Sequence, residues 1–274
     1  MANCILVNNN FMVKPNFMTD IQKLASVLLR SFEDNTVVAI ECNQIIKEGT
    51  NGLITDPVKA DMIDTKTVMI LINTLYFKTV WASPFKEYAT KDKFFNETKM
   101  VKMMSKTKDF PYYEDDNVQI VDMMYQGNEY SMLWVLPKPG VEMSKCYGYL
   151  FNYVEFGYER VECEIPKFTQ RKNYSLKPLM QEMGVTDIFS EEMSRLDHMT
   201  DERVYVSEAI HEAVVIVDEA GTEAAAVTVA ICKLESCCMP PDPIPFYLHR
   251  PFLYGIKDRK NNMILFAGDY HGPE

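Results

Sequence analysis

A chain of 274 residues that is 47% hydrophobic and 24% charged can bury a sizeable core and reads as one large globular domain over residues 1–274. Its net charge of −11, with no dense run of Lys or Arg, argues against a phosphate-backbone ligand, so nucleic acid is not an expected partner. There is no 18-residue apolar run and no charged-then-apolar leader, so neither a membrane span nor a signal peptide is expected, and no membrane partner.

In chain order, residues 4–13 (CILVNNNFMV) predict a strand, and 16–30 (NFMTDIQKLASVLLR) carry apolar residues at helical spacing. A short helix is expected in 41–54, stopped by Thr50-Asn51-Gly52. Residues 67–77 (TVMILINTLYF) are apolar on both faces, the pattern of a central strand covered on both sides. Further strands are predicted at 117–125, 130–137, 158–168, 204–218, 246–257 and 263–270, and a helix at 175–189 broken at Gly184. With no repeat and no flexible linker, this is an α+β pattern whose second half is dominated by sheet.

Little points to catalysis. The four histidines, His198, His211, His249 and His271, stand outside any HExxH, HxxxH or CxxC…H spacing, so no metal and no other cofactor is expected. No GxGxxG, GxxxxGK[ST] or GxSxG occurs, which removes the signals of nucleotide binding and of nucleophile-elbow hydrolases. Seven cysteines, an odd count, suggest free thiols in a reducing compartment over a disulfide framework, which favours the cytoplasm and leaves secretion open if the N-terminus is incomplete. The vicinal pair Cys237-Cys238 is too strained to be a default bridge, and no helix N-terminus flanks it to depress a thiol pKa, so an enzyme is not expected. Asn96-Glu97-Thr98 and Asn173-Tyr174-Ser175 fit the glycosylation acceptor, a triplet that arises often by chance.

The least ordinary stretch is DEAGTEAAAVTVAICKLESCCMPPDPIP, residues 218–245. From Gly221 to Ala230 every residue but one is small or β-branched and uncharged. As a strand, this run would place Thr222, Ala224, Ala226 and Thr228 on one face and Glu223, Ala225 and Val227 on the other. Propensity alone also permits an alanine-rich helix. The strand pattern that leads in at 209–221 and the proline-rich exit at 240–245 favour a tethered, exposed loop.

Five stretches resemble the serpin family of protease inhibitors, and in serpin order: LINTLYFKTVWASPF (71–85), EIPKFTQRKNYSLKPLMQEMGVTDIF (164–189), VSEAIHEAVVIV (206–217), VDEAGTEAAAVT (217–228) and HRPFLYGIKDRKNNMILFAGDY (249–270). The resemblance implies a large, mostly antiparallel sheet A with smaller B and C sheets, surrounding helices and an exposed reactive-centre loop at about 219–245. It also implies a suicide-substrate inhibitor. A target serine or cysteine protease attacks a loop bond, and the cleaved loop enters the main sheet as a new central strand while the acyl-enzyme persists. By matching position, Asn73 and His211 fall where the central strands part, Trp81 lies where insertion begins, and Gly221 is the pivot. Glu219, Thr222, Glu223, Ala224, Ala225, Ala226, Val227 and Thr228 form the hinge. Counting from Glu219 puts the attacked bond at Glu235-Ser236, after Cys232, Lys233 and Leu234; a slightly long distal half leaves Leu234, Cys237, Cys238 and Met239 as alternatives. Besides the protease, loop–sheet self-association is an expected partnership.

Two features depart from the resemblance. The chain opens at MANCILVNNNFMV, which resembles the second strand of the main sheet, so the family's earliest helices have no counterpart. The helix before 55–65 reads CNQIIKEGTNGLI, without the family's usual tryptophan. These departures support a second reading, a non-inhibitory or insertion-defective shortened serpin acting as a binding or structural protein. The small hinge residues favour the inhibitor.

Overall fold

The computed structural model describes residues 2–63, 67–77, 79–152, 156–222 and 242–273. In chain order its first strands are β1 (Ala2–Asn8), β2 (Ser26–Arg30), β3 (Met69–Tyr76), β4 (Thr79–Val80) and β5 (Lys91–Phe95). They continue with β6 (Lys99–Glu114), β7 (Val118–Met124), β8 (Tyr130–Pro137), β9 (Gly157–Pro166) and β10 (Phe168–Ser175). The last are β11 (Glu208–Val217), β12 (Gly221–Thr222), β13 (Ile244–Tyr247), β14 (Phe252–Asp258) and β15 (Met263–Tyr270). Among the described residues four α-helices accompany them, α1 (Pro15–Ile21), α2 (Asn35–Gly49), α3 (Gly148–Phe151) and α4 (Leu176–Glu182). The chain divides into two compact units, residues 1–77 with 170–215 and residues 78–169 with 216–274.

The first unit is built on a five-stranded sheet ordered β10-β11-β3-β1-β2. Strands β1 and β3 are antiparallel, whereas β1 with β2 and β3 with β11 run parallel. The stretch 67–77 does become a central strand, with Met69, Ile70, Ile72 and Thr74 buried. Period-two alternation sorts the sheet: Val7, Met69 and Ala209 enter a core with Phe189, Val204 and Val206, while Cys4 turns the other way, toward Cys42 of α2.

Helix α2 begins six residues before the expected 41, because Asp34 caps it by accepting from the Val37 amide at 3.1 Å. It ends at the expected signal, where the Thr50 hydroxyl bonds the Ile46 carbonyl at 2.7 Å and Asn51 and Gly52 take φ of 52° and 80°. The helical reading of 16–30 is corrected. The helix stops at Ile21, and Ser26–Arg30 pairs with β1 from Cys4↔Ser26 to Asn8↔Arg30, so a sheet edge overrides a helical period that five residues of SVLLR fit equally well.

The second unit holds an eight-stranded sheet in which β13-β9-β6-β7-β8-β14-β15 follow one another and β5 pairs β6. The 16-residue β6, absent from the sequence reading, pairs in turn with β5, β9 and β7. Its burial alternates only in part, and Lys99, Lys102, Lys106 and Lys108 interrupt any apolar run. The expected strand at 246–257 is two strands. β13 runs parallel to β9 and β14 antiparallel to β8, and between them Arg250 donates to the Pro137 carbonyl at 3.0 and 3.2 Å before Pro251 breaks the ladder. Trp134, Phe168, Phe252 and Tyr270 pack as an aromatic core, Phe168 stacked on Tyr270 at 4.6 Å.

Candidate functional site: a parallel seam and a hinge

In the first unit β3 and β11 lie side by side in parallel over seven pairs, Ile70↔Glu208 to Tyr76↔Val214, with Asn73 directly opposite His211. A parallel ladder is slanted and slightly weaker per residue than an antiparallel one, and here it sits inside the sheet. Asn73 Nδ2 donates to Asn3 Oδ1 of β1 at 2.5 Å, which leaves Asn73 Oδ1 as acceptor for His211 Nδ1 at 2.7 Å. His211 is therefore the Nδ1–H tautomer, and burial lowers its pKa. The Tyr174 ring stacks 6.4 Å from the imidazole. A polar chain thus crosses β1, β3 and β11 at the level of Asn73.

One residue on, Glu212 points to the opposite face, where it is 3% exposed. Asn173 Nδ2 donates to it at 3.2 Å and Arg171 stands 3.5 Å away. Burial raises the Glu212 pKa, opposed by the Arg171 charge. With its amide also donating to the Pro57 carbonyl at 3.3 Å, Asn173 has both N–H bonds in use, which argues against a glycan there.

The approach to the expected hinge belongs to the second unit. β11 ends at Val217, and Asp218 turns the chain by accepting from the amides of Ala220 and Gly221, both at 3.0 Å. Trp81 clasps this turn twice: its indole N–H donates to the Asp218 carbonyl at 3.0 Å and its amide to the Ala220 carbonyl at 2.9 Å, while its ring stacks on Tyr125 at 4.4 Å. The Phe85 amide donates to the Glu219 carbonyl at 2.7 Å. The Glu219 carboxylate accepts from Lys167 and Thr90, each at 2.8 Å. Burial alone would raise the Glu219 pKa, but these donors outweigh it and leave the carboxyl below its usual range.

Gly221 then pairs with Val80, and Thr222 with Thr79, antiparallel. The backbones approach so closely that a Cβ on Gly221 would lie 2.4 Å from the Thr79 carbonyl oxygen, and its φ of 151° also favours glycine.

Of the residues singled out from the sequence, the structure joins Asn73 to His211 and brings Trp81 onto the Asp218–Gly221 turn beside Glu219. Glu223, Ala224, Ala225, Ala226, Val227 and Thr228 lie outside the described residues, as do Leu234, Glu235, Ser236, Cys237, Cys238 and Met239. Asn3, Lys167 and Thr90 escaped the sequence reading, since they reach their partners across 70, 52 and 129 residues and no local pattern marks them. Among the described residues no group of three or more His, Cys, Asp or Glu could hold a metal ion.

A mixed sheet with a parallel central seam, and a strand that leads through Gly221 into β12, are features of a serpin-class fold. The chain belongs to the serpin family: the family model described as Serpin (serine protease inhibitor) matches residues 1–273. It is 32% identical over 289 residues to an uncharacterized serpin-like protein of Acanthamoeba polyphaga mimivirus, covering 99% of this chain and 71% of that one. Identity to the leukocyte elastase inhibitor of Bos taurus is 30%, covering 100% and 77%, and to Homo sapiens antithrombin-III 32%, covering 84% and 52%. A crystal structure of a serpin from the insect Tenebrio molitor superposes with a TM-score of 0.87 at 25% identity, over 100% of this chain and 75% of that one. The chain therefore spans about half to three quarters of the length of the curated relatives it matches.

Proposed function

We propose that the protein is a suicide-substrate inhibitor of a serine protease. The observation that carries this reading is the path of the chain out of β11. β3 and β11 are parallel, so a strand returning from the end of β11 is antiparallel to both, and a new central strand needs only the seam to open. Gly221 and Thr222 pair antiparallel with Val80 and Thr79, the segment that follows β3 in the sequence. If an inserted strand kept that register, Ala226 would stand opposite Leu75 and Thr228 opposite Asn73. Thr222, Ala224, Ala226 and Thr228 then share one face, and their small side chains suit a crowded interior.

In this mechanism the protease acylates at Glu235-Ser236, or at one of the neighbouring bonds of Leu234, Cys237, Cys238 or Met239. The freed strand enters the seam and carries the acyl-enzyme with it before water completes hydrolysis. Each new ladder hydrogen bond contributes about 1 kcal/mol, so a strand of this length supplies the drive, and the uncut fold is held by a kinetic barrier. The relatives named as a leukocyte elastase inhibitor and as antithrombin-III support a protease as partner.

The test is incubation with a panel of serine and cysteine proteases, followed by denaturing electrophoresis. A covalent complex of the summed mass is expected with at least one serine protease. Cleavage within residues 233–239 without any such complex would favour the insertion-defective reading instead.

A further inference from the structure

Cys4 on β1 and Cys42 on α2 bring their sulfurs to 3.9 Å, the Cys42 thiol donating toward Cys4. Both are buried, 2% and 0% exposed. The shared hydrogen bond lowers the pKa of Cys4, and the same bond with burial raises that of Cys42. Whichever sulfur is oxidised first, the other stands within reach to resolve it. Bonding requires the sulfurs to close from 3.9 Å to about 2.05 Å.

The pair lies at one end of a strap. α2 and residues 50–63 run over the face of the sheet that bears Cys4, and their contacts cross it strand by strand. Asn51 Nδ2 donates to the Tyr76 hydroxyl at the end of β3 at 2.9 Å. Farther on, Arg171 of β10 donates to the Leu53 carbonyl at 2.5 Å and Asn173 to the Pro57 carbonyl at 3.3 Å. Those two side chains also hold Glu212 of β11. The strap is therefore fastened to β1 and β3 on one side of the parallel seam and to β10 and β11 on the other. A strand entering the seam widens the sheet by about 4.8 Å, and the two fastenings must part by a comparable distance unless one yields.

We propose that Cys4 and Cys42 form a reversible disulfide that fixes α2 to β1 and slows the entry of a strand between β3 and β11. The bond stands on the thiol geometry alone; its effect on insertion rests on the inhibitor reading. Hydrogen peroxide converts one of the two thiols to a sulfenic acid with release of one water. The other sulfur then displaces the sulfenic hydroxyl, which leaves as a second water, so two electrons pass from the two thiols to the peroxide. Dithiothreitol reverses the bond by thiol–disulfide exchange. With α2 free, the strap yields by sliding on β1. Once the bond closes, it yields only by giving up the Arg171 and Asn173 hydrogen bonds, a difference on the order of tenfold in rate.

The test begins with peroxide treatment of the full chain, alkylation under denaturing conditions and tryptic mass spectrometry. Residues 1–23 joined to 31–47 are expected, two hydrogens lighter than the separate peptides, released by dithiothreitol and absent from both Cys42→Ala and Cys42→Ser. Absence of the linked peptide from the oxidised native sequence overturns the bond. In the oxidised protein, amide exchange in α2 and protease inactivation should each be about tenfold slower, restored by dithiothreitol and unaffected by peroxide in Cys42→Ala. A linked peptide with α2 exchange unchanged overturns the fastening, and slowed exchange with undiminished inactivation overturns the control of insertion. If the reduced protein forms no covalent complex with any protease, the inhibitor reading fails on its own, and the fastening is decided by the α2 exchange.

Discussion

Replacing Gly221 by alanine tests the hinge geometry most directly. The new Cβ would stand 2.4 Å from the Thr79 carbonyl oxygen, 2.5 Å from Val80 Cα and 2.8 Å from the Trp81 amide nitrogen, all of them backbone atoms. Ordinary contact begins at 3.4 Å, so β12 and β4 must separate by about 1 Å, enough to break hydrogen bonds near 3 Å. Two or three such bonds at about 1 kcal/mol each, with about 1–2 kcal/mol for a side chain at positive φ, give a local cost of about 3–5 kcal/mol. The Trp81 amide, which donates to Ala220, and the Phe85 amide, which donates to Glu219, should then exchange with deuterium at least about a hundredfold faster. Gly127→Ala serves as the control, since its φ is 86° but nothing lies within 4 Å of the added Cβ; it carries the backbone strain without the clash. In the proposed mechanism Gly221→Ala also shifts the outcome from covalent complex to cleaved loop. Unchanged protection at Trp81 and Phe85 would refute the close approach, and with it this account of why a glycine stands there.

Three further outcomes are expected. Ala226→Arg sets a guanidinium on the face assigned to the sheet interior, so cleavage should continue while covalent complex disappears; an unchanged stoichiometry of inhibition would sink that assignment. Lys106 lies across the ladder from Cys163 with Nζ 4.1 Å above the Phe85 ring, and burial takes its pKa from 10.5 to about 7. Between those values the unfolded chain binds a proton that the folded one does not, so stability rises with pH across the window and the penalty is complete below it. Lys106→Met should raise Tm at pH 7, by about 1–3 kcal/mol of stability, and flatten that rise; a lower Tm with the slope intact would count against it. Cutting the loop between residues 233 and 239 should raise the melting temperature, because insertion completes a ladder the uncut chain lacks, and identical melting curves before and after would show that no strain is stored.

Much of the second unit was legible because its strands are apolar runs bounded by turn residues, as with 130–137 and 263–270, whose limits the structure reproduces. Elements decided by a distant partner were not. Ser26–Arg30 is a strand only because β1 offers it an edge, and β6 holds its lysines at tolerated positions because β5, β9 and β7 flank it in succession. The candidate site divides in the same way. Asn73, His211, Trp81 and Gly221 were found through their resemblance to the serpin pattern, since each is ordinary taken alone. Asn3, which accepts from Asn73, and Thr90 and Lys167, which donate to Glu219, come from sequence separations no periodicity can register.

Under the proposed mechanism, the chemistry of the seam would let the sheet be both ordered and divisible. If only Leu and Val faced one another across β3 and β11, register would rest on packing, and nothing polar would mark where an incoming strand should stop. Asn73 and His211 instead meet through one hydrogen bond, with Asn3 completing the Asn73 amide. Parting the strands breaks a bond worth about 1 kcal/mol in place, but it leaves an acceptor and a donor that would cost more if they stayed unpaired. The continued register would deliver the hydroxyl of Thr228, which both donates and accepts, opposite Asn73. In the proposed mechanism the open seam would be costly while empty and satisfied when filled by a strand in that register, the condition for a barrier that persists until cleavage and for insertion that comes to rest in one alignment.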